Sequence, residues 1–198
     1  DTLLNGGYHI YTYLDQSIQQ TCEDLLSSGE WMPPDAEDGT PVQGAIAVTD
    51  VEEFGVVALV GGRSYEVQRG FNRATDLQRQ PGSTIKPVLV YAPAIEKYGY
   101  TAASVLVDEP TDFGGYTPEN FGGKYYGLVT LREAVSRSLN VPAVKVFSSI
   151  GVRAGSSFAQ RLGIPFDEQD NSLSLALGGF TYGISPLTLA GAYDAFAS

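Results

Sequence analysis

Cysteine, histidine, methionine and tryptophan each occur once in 198 residues, and Lys plus Arg number 12 against 23 Asp plus Glu. Each scarcity excludes something. A single cysteine, Cys22, cannot close an internal disulfide; it falls in an apolar helical pattern and reads as a small buried hydrophobe. A lone histidine, His9, precludes a multi-histidine metal site. The formal net charge of −11, with cations scattered singly, excludes a surface built to neutralise nucleic-acid phosphates and disfavours docking on anionic lipid. No apolar run is long enough to span a bilayer, and no signal peptide is visible. Gly-rich phosphate loops, internal repeats and low-complexity tracts are missing too, so no metal or organic cofactor is expected.

What remains is an ordinary globular composition, 43% hydrophobic and 18% charged, long enough for one full core or for one domain and part of another. The ends, Asp1-Thr2-Leu3-Leu4 and Phe196-Ala197-Ser198, read as cut, so a piece of a longer polypeptide is expected. Residues 8–13 are aromatic and predict a strand. Asp15 predicts the cap of a helix carrying Leu14, Ile18, Cys22, Leu25 and Leu26, stopped by Gly29. Residues 30–43, rich in Pro, Gly and acid, form the best internal boundary. That divides the chain into a preceding segment, 1–43, and a main unit, 44–198.

Two apolar runs, 44–49 and 54–60, flank Asp50-Val51-Glu52-Glu53 and predict a β-hairpin covered on both faces. From Pro81 onward the pattern is helical. Ile85, Val88, Leu89, Ala92 and Ile95 share a face, with Pro87 tolerated in the first turn and Gly99 as the stop. A loop rich in Gly, Pro and aromatics fills 108–127. Thr130 to Glu133 has capping-box spacing and opens a short helix ending near Ser138. Asn140 falls in the break before a helix with Pro142 in its first turn and Val144, Phe147 and Ile150 on its face. Further helices are predicted at 153–162, stopped by Gly163, and from 187, capped by Ser185. A hairpin followed by a run of helices is an α+β pattern.

The chemistry-bearing residues lie in two short elements. Ser83 and Lys86 form Ser-x-x-Lys within Arg79-Gln80-Pro81-Gly82-Ser83-Thr84-Ile85-Lys86-Pro87. A serine at a helix start meets unpaired N–H groups and the positive dipole end, and a lysine three residues on shares its face. If desolvated, that lysine has a lowered pKa and can accept the serine proton. The alternative is that Ser83 only caps the helix and Lys86 is a solvated charge. In Ser138-Leu139-Asn140 a hydroxyl and a carboxamide sit two apart in a helix break, able to point into one cleft or simply to bond the helix end.

In this order and spacing the two elements resemble the first motifs of the transpeptidase domain of class A penicillin-binding proteins, within the serine β-lactamase-like superfamily. The resemblance extends to Gly7 through Asp15, to the hairpin ending in Val60-Gly61-Gly62, to Tyr116-Thr117-Pro118-Glu119-Asn120, to Gly127 through Pro142, and to Leu177-Gly178-Gly179 with Ser185-Pro186-Leu187. It implies an antiparallel sheet, whose first hairpin is present here, packed with a helical subdomain. The family's third motif, Lys-Thr/Ser-Gly, occurs nowhere; Lys97 is followed by Tyr98-Gly99. Residues 44–198 are therefore expected to be the N-terminal part of the domain, lacking its C-terminal strands and partnered by them.

By the same resemblance Ser83, Lys86, Ser138 and Asn140 are the expected catalytic residues, with no cofactor-binding or metal-binding ones. The expected substrates are peptidoglycan stem peptides ending in D-Ala-D-Ala, and β-lactams the expected inhibitors. The expected place of work is the extracytoplasmic face of the bacterial cell membrane, with any anchor in the parent protein alone. Two other readings stand beside this one. A β-lactamase needs a glutamate followed closely by Leu-Asn, and Asp167-Glu168-Gln169-Asp170-Asn171 has neither that spacing nor the leucine. A non-catalytic relative that binds wall peptides or β-lactams is the third. Asn120 carries no assignment from sequence.

Overall fold

The computed structural model describes residues 5–197; the chain-end residues 1–4 and 198 lie outside the described residues. Helix α1 spans Gln16–Ser28, and the Asp15 carboxylate caps it by accepting the N–H groups of Ser17 and Ile18, both at 2.9 Å. Gly29, at φ 71°, ends it in the left-handed conformation that a side chain resists. Cys22 and Leu26 are buried, as the pattern predicts, whereas Leu14, Ile18 and Leu25 stay largely exposed.

The helix lies against a hairpin of β1, Ile46–Thr49, and β2, Val56–Val60, paired with Ile46 opposite Val60. Ile46, Val48, Ala58 and Val60 alternate onto one face and pack with Cys22, Leu26 and Met32. Residues 8–13 do not form the expected strand. They run as exposed coil, because β-favouring side chains need a free strand edge. The outer edge of β2 is already taken: Asp15 N–H donates to Val57 O at 2.9 Å, and the Gln19 amide pairs with both Leu59 N (2.8 Å) and Leu59 O (3.2 Å).

The helix expected after Pro81 is three different turns in series. Gly82–Ile85 is a 3₁₀ turn, Pro87–Tyr91 a π turn, and α2 spans Ala92–Lys97. Pro87 and Pro93 each lack the N–H that a continuous α ladder would use, and Ala92 N–H reaches back five residues to Pro87 O. Ile85, Val88 and Leu89 are fully buried, while Ile95 is half exposed. A second hairpin, β3 (Val105–Asp108) with β4 (Gly127–Thr130), brackets the long loop. Nothing in the sequence reading anticipates it.

Helix α3, Leu131–Ser136, opens on a complete capping box: Glu133 N–H donates to Thr130 Oγ1 at 3.2 Å, and Thr130 N–H to Glu133 Oε2 at 2.9 Å. Asn140 is the first residue of α4, Asn140–Ile150, rather than part of the break. Then come α5, Val152–Arg161, a 3₁₀ turn at Leu173–Leu177, and α6, Pro186–Asp194, capped by Ser185 accepting Thr188 N–H at 3.2 Å. Val88, Leu89, Val144, Phe147, Ile164 and Leu175 are the centre of the main core. Thr49 Oγ1 donates to the buried Asp194 carboxylate at 2.8 Å, tying the first hairpin to α6. The architecture is thus α+β, with two antiparallel two-stranded sheets among the described residues. None of the described helices is long and apolar enough to cross a membrane.

Candidate active site

The segment before Ser83 is held from behind by residues 178–184. Arg79 and Ile184 exchange backbone hydrogen bonds at 3.2 and 2.9 Å. The Gln80 amide pairs with the backbone of Phe180, accepting its N–H at 2.7 Å and donating to its carbonyl. Gly178 has φ 88°, and a Cβ there would stand 2.3 Å from Gly82 N, so only glycine allows the two backbones to approach this closely. Tyr193 Oη donates to Thr84 O at 2.6 Å, adding a contact from α6.

Ser83 is exposed, inside the 3₁₀ turn, and its side chain does not cap it; the cap position is Pro81. Lys86 begins the next turn and its N–H donates to Ser83 O. At 2% exposure Lys86 is a buried residue, which removes the reading of a solvated surface charge. An ammonium has three N–H donors, and three acceptors surround this one. They are Ser138 O at 2.8 Å, Ser138 Oγ at 3.2 Å and Asn140 Oδ1 at 2.7 Å. None of the three carries a charge. Burial therefore lowers the lysine from its ordinary 10.5 to about 8, within reach of a general base.

Ser138 presents two of those acceptors because its backbone is left-handed, at φ 51°. For a non-glycine residue that conformation costs about 1–2 kcal/mol. Leu139, buried, and the start of α4 carry the chain directly on to Asn140, whose Nδ2 donates to Glu119 O at 2.7 Å. Three of the four expected residues, Lys86, Ser138 and Asn140, thus form one hydrogen-bonded cluster. Ser83 stands one turn from Lys86 on the same segment, and its hydroxyl is not part of that cluster.

Sequence reasoning missed the scaffolding. Gln80 and Gly178 brace the turn that carries Ser83, and Asp108 holds Asn120, which accepts the Asn140 N–H. Gln80, Gly178 and Asn120 lie in stretches that carry the family resemblance, without a role assigned there, and Asp108 carried no signal. A cavity of about 630 Å³ lies elsewhere, between α1 and residues 61–72, and no lysine lines it. Among the described residues no group of His, Cys, Asp and Glu is arranged to hold a metal ion.

Known proteins resemble this chain in sequence and fold. The family model described as the penicillin binding protein transpeptidase domain fits residues 44–198. Penicillin-binding protein 1F of Bacillus subtilis is 40% identical over the whole chain, which covers 27% of that protein. Penicillin-binding protein 1A of Clostridium botulinum is 34% identical over 99% of the chain, which covers 25% of it. The chain therefore spans about a quarter of the length of these relatives. Among solved structures, penicillin-binding protein 1A from Haemophilus influenzae superposes with a TM-score of 0.69 at 34% identity, over 82% of this chain and 25% of that one. PonA1 of Mycobacterium tuberculosis, in complex with penicillin V, reaches 0.83 at 22% identity over 99% of this chain and 53% of that one, a likeness of fold alone. A family model matching most of the chain, and full-length identity at this level, place it: the chain belongs to the penicillin-binding protein transpeptidase family.

Proposed function

We propose that residues 44–198 are the N-terminal part of a peptidoglycan DD-transpeptidase unit that works through an acyl-serine, with residues 1–43 as the segment leading into it. The observation that carries this reading is the buried, unpaired-charge Lys86, gripped by Ser138 and Asn140 one turn from the exposed Ser83. In its neutral form Lys86 accepts the Ser83 hydroxyl proton, directly or through Ser138 Oγ. Ser83 Oγ attacks the carbonyl of the penultimate D-Ala, and the oxyanion is stabilised by backbone N–H groups, that of Ser83 among them. The C–N bond breaks, the proton passes to the leaving amine, and D-Ala departs. An amine of a neighbouring stem peptide then attacks the ester, giving the cross-link and regenerating Ser83. A β-lactam carbonyl enters the same first step, its opened ring staying as an acyl group on Ser83. By family the work is done at the extracytoplasmic face of the bacterial membrane, in a parent protein carrying the membrane anchor and the remaining strands.

The β-lactamase reading is less well supported. Asp170 is committed to a turn, accepting Thr181 N–H at 2.7 Å, Thr181 Oγ1–H at 2.8 Å and Asp167 N–H at 2.9 Å, and Glu168 is exposed. The test is incubation of the full-length protein with a stem peptide ending in D-Ala-D-Ala. The expected products are free D-alanine and a cross-linked dimer, both lost in Ser83→Ala. Release that persists in Ser83→Ala would contradict the mechanism, and intact peptide with the unaltered protein would contradict the function.

A further inference from the structure

Asn140 has an acceptor end and a donor end, and only one orientation serves Lys86. With Oδ1 towards the ammonium it grips the lysine; turned over, it would set an NH₂ against an N–H donor. The structure contains a chain of contacts that decides between the two, and it begins at a carboxylate remote from Lys86.

Asp108 ends β3 and is 0% exposed, yet none of the ion pairs among the described residues involves it. Its oxygens accept from two donor groups instead: Asn120 Nδ2, at 2.8 Å from Oδ1 and 2.9 Å from Oδ2, and Tyr126 N–H, at 2.9 Å from Oδ2. Both oxygens of that carboxyl group face the Asn120 amide, and only its NH₂ end can donate to them. Lys124 O reinforces this, accepting Asn120 Nδ2 at 2.9 Å. The carbonyl of Asn120 is thereby aimed the other way, at α4, where it accepts Asn140 N–H at 2.8 Å and Val141 N–H at 3.2 Å. These first-turn donors get no help from Leu139, the residue at the cap position. Fixing Asn120 also fixes the preceding carbonyl, Glu119 O, which takes the NH₂ of Asn140 at 2.7 Å and leaves Oδ1 for Lys86. The contacts thus run from Asp108 to Asn120, and through the start of α4 and Glu119 O to Asn140 and Lys86.

A buried carboxylate is costly, and a loop could be closed more cheaply with apolar residues. We propose that Asp108 and Asn120 are positioning residues: their mutual hydrogen bond turns an oxygen of residue 120 to the start of α4, and the loop so fixed presents Glu119 O to the Asn140 amide and holds Lys86 beside Ser83. This rests on the acyl-transfer reading above.

The test is a charge swap in the full-length protein, read as the first-order acylation constant and the non-covalent dissociation constant for a fluorescent penicillin, per folded molecule. Asn120→Asp sets two carboxylates face to face, and its acylation constant is expected to fall about a hundredfold with little change in dissociation constant. Asp108→Asn keeps one acceptor and is expected to fall about tenfold. The double variant restores a donor–acceptor pair in reverse order, with residue 108 donating to a carboxylate at 120, and is expected to recover to within about threefold. Should Asn120→Asp not fold, Asp108→Asn and the double variant decide between them. Variants that only melt earlier, with an unchanged acylation constant per folded molecule, would overturn the positioning role and leave the acyl-transfer reading standing. Unaltered protein that takes up no penicillin would overturn both.

Discussion

Lys86 Nζ lies 2.7 Å from Asn140 Oδ1, and the two residues are 54 apart in the chain. Neither Asn140 nor Ser138 offers the ammonium a negative charge, so burial alone sets its proton affinity, at about 8. Below that value Lys86 holds its proton and cannot accept one from Ser83. Acylation by a penicillin is therefore expected to rise about tenfold per pH unit from 6 towards 8 and to level off above. Stopped-flow rates across that range check it. Lys86→Arg, whose guanidinium stays protonated, is expected to lose about a thousandfold at the pH 8 plateau and to show no rise between pH 6 and 8. The same burial has a stability signature. The unfolded lysine keeps its proton up to 10.5, so folding grows more favourable between about 8 and 10.5 and loses that contribution as pH falls through 8. Lys86→Met is expected to flatten this slope in denaturant titrations.

Ser138 separates strain from chemistry. Its φ of 51° suits glycine, while its hydroxyl touches Lys86. Ser138→Ala and Ser138→Gly both remove the hydroxyl and are expected to slow acylation alike. Only Ser138→Gly also relieves the backbone, and it is expected to be more stable than Ser138→Ala by about 1–2 kcal/mol. Equal stability in thermal or denaturant unfolding would show that the left-handed turn carries no strain.

Two glycines make an opposite pair. Gly178 faces Gly82 at a distance no Cβ allows, so Gly178→Ala is expected to destabilise by more than about 2 kcal/mol and to slow acylation by displacing the turn that carries Ser83. Gly191, exposed within α6, has open space where a Cβ would go, and Gly191→Ala is expected to stabilise by about 0.5–1 kcal/mol with acylation unchanged. Melting curves and acylation rates of both variants in the full-length protein check the contrast.

Local signals were legible in the sequence wherever a single residue type does a single job. Asp15 and Ser185 as caps, Gly29 as a stop, and the Thr130–Glu133 box all act as their chemistry dictates. The Ser-x-x-Lys and Ser-x-Asn elements were legible because their members are close in sequence, although nothing local brings Lys86 to Asn140. Signals that depend on a distant partner were not. The aromatic residues 8–13 have strand propensity, but Gln19 and Asp15 occupy the edge they would need. The β3–β4 hairpin has strands of four residues separated by a long loop, too short to stand out. Pro87 was placed correctly near a helix start, yet its missing N–H, with that of Pro93, turns the helix into 3₁₀ and π turns. Asp108 lay unmarked at the edge of the loop because its value depends on Asn120, whose side chain only the fold aims at it.

If Ser83 is the nucleophile, a β-lactam leaves its mass on that residue, and intact-mass spectrometry reads this without an intermediary. Full-length protein is incubated with benzylpenicillin, digested and mapped, beside a Ser83→Ala control. One stable penicilloyl adduct is expected, on the peptide carrying Ser83 and absent from the control. An adduct on any other residue, or one that persists in Ser83→Ala, would contradict it.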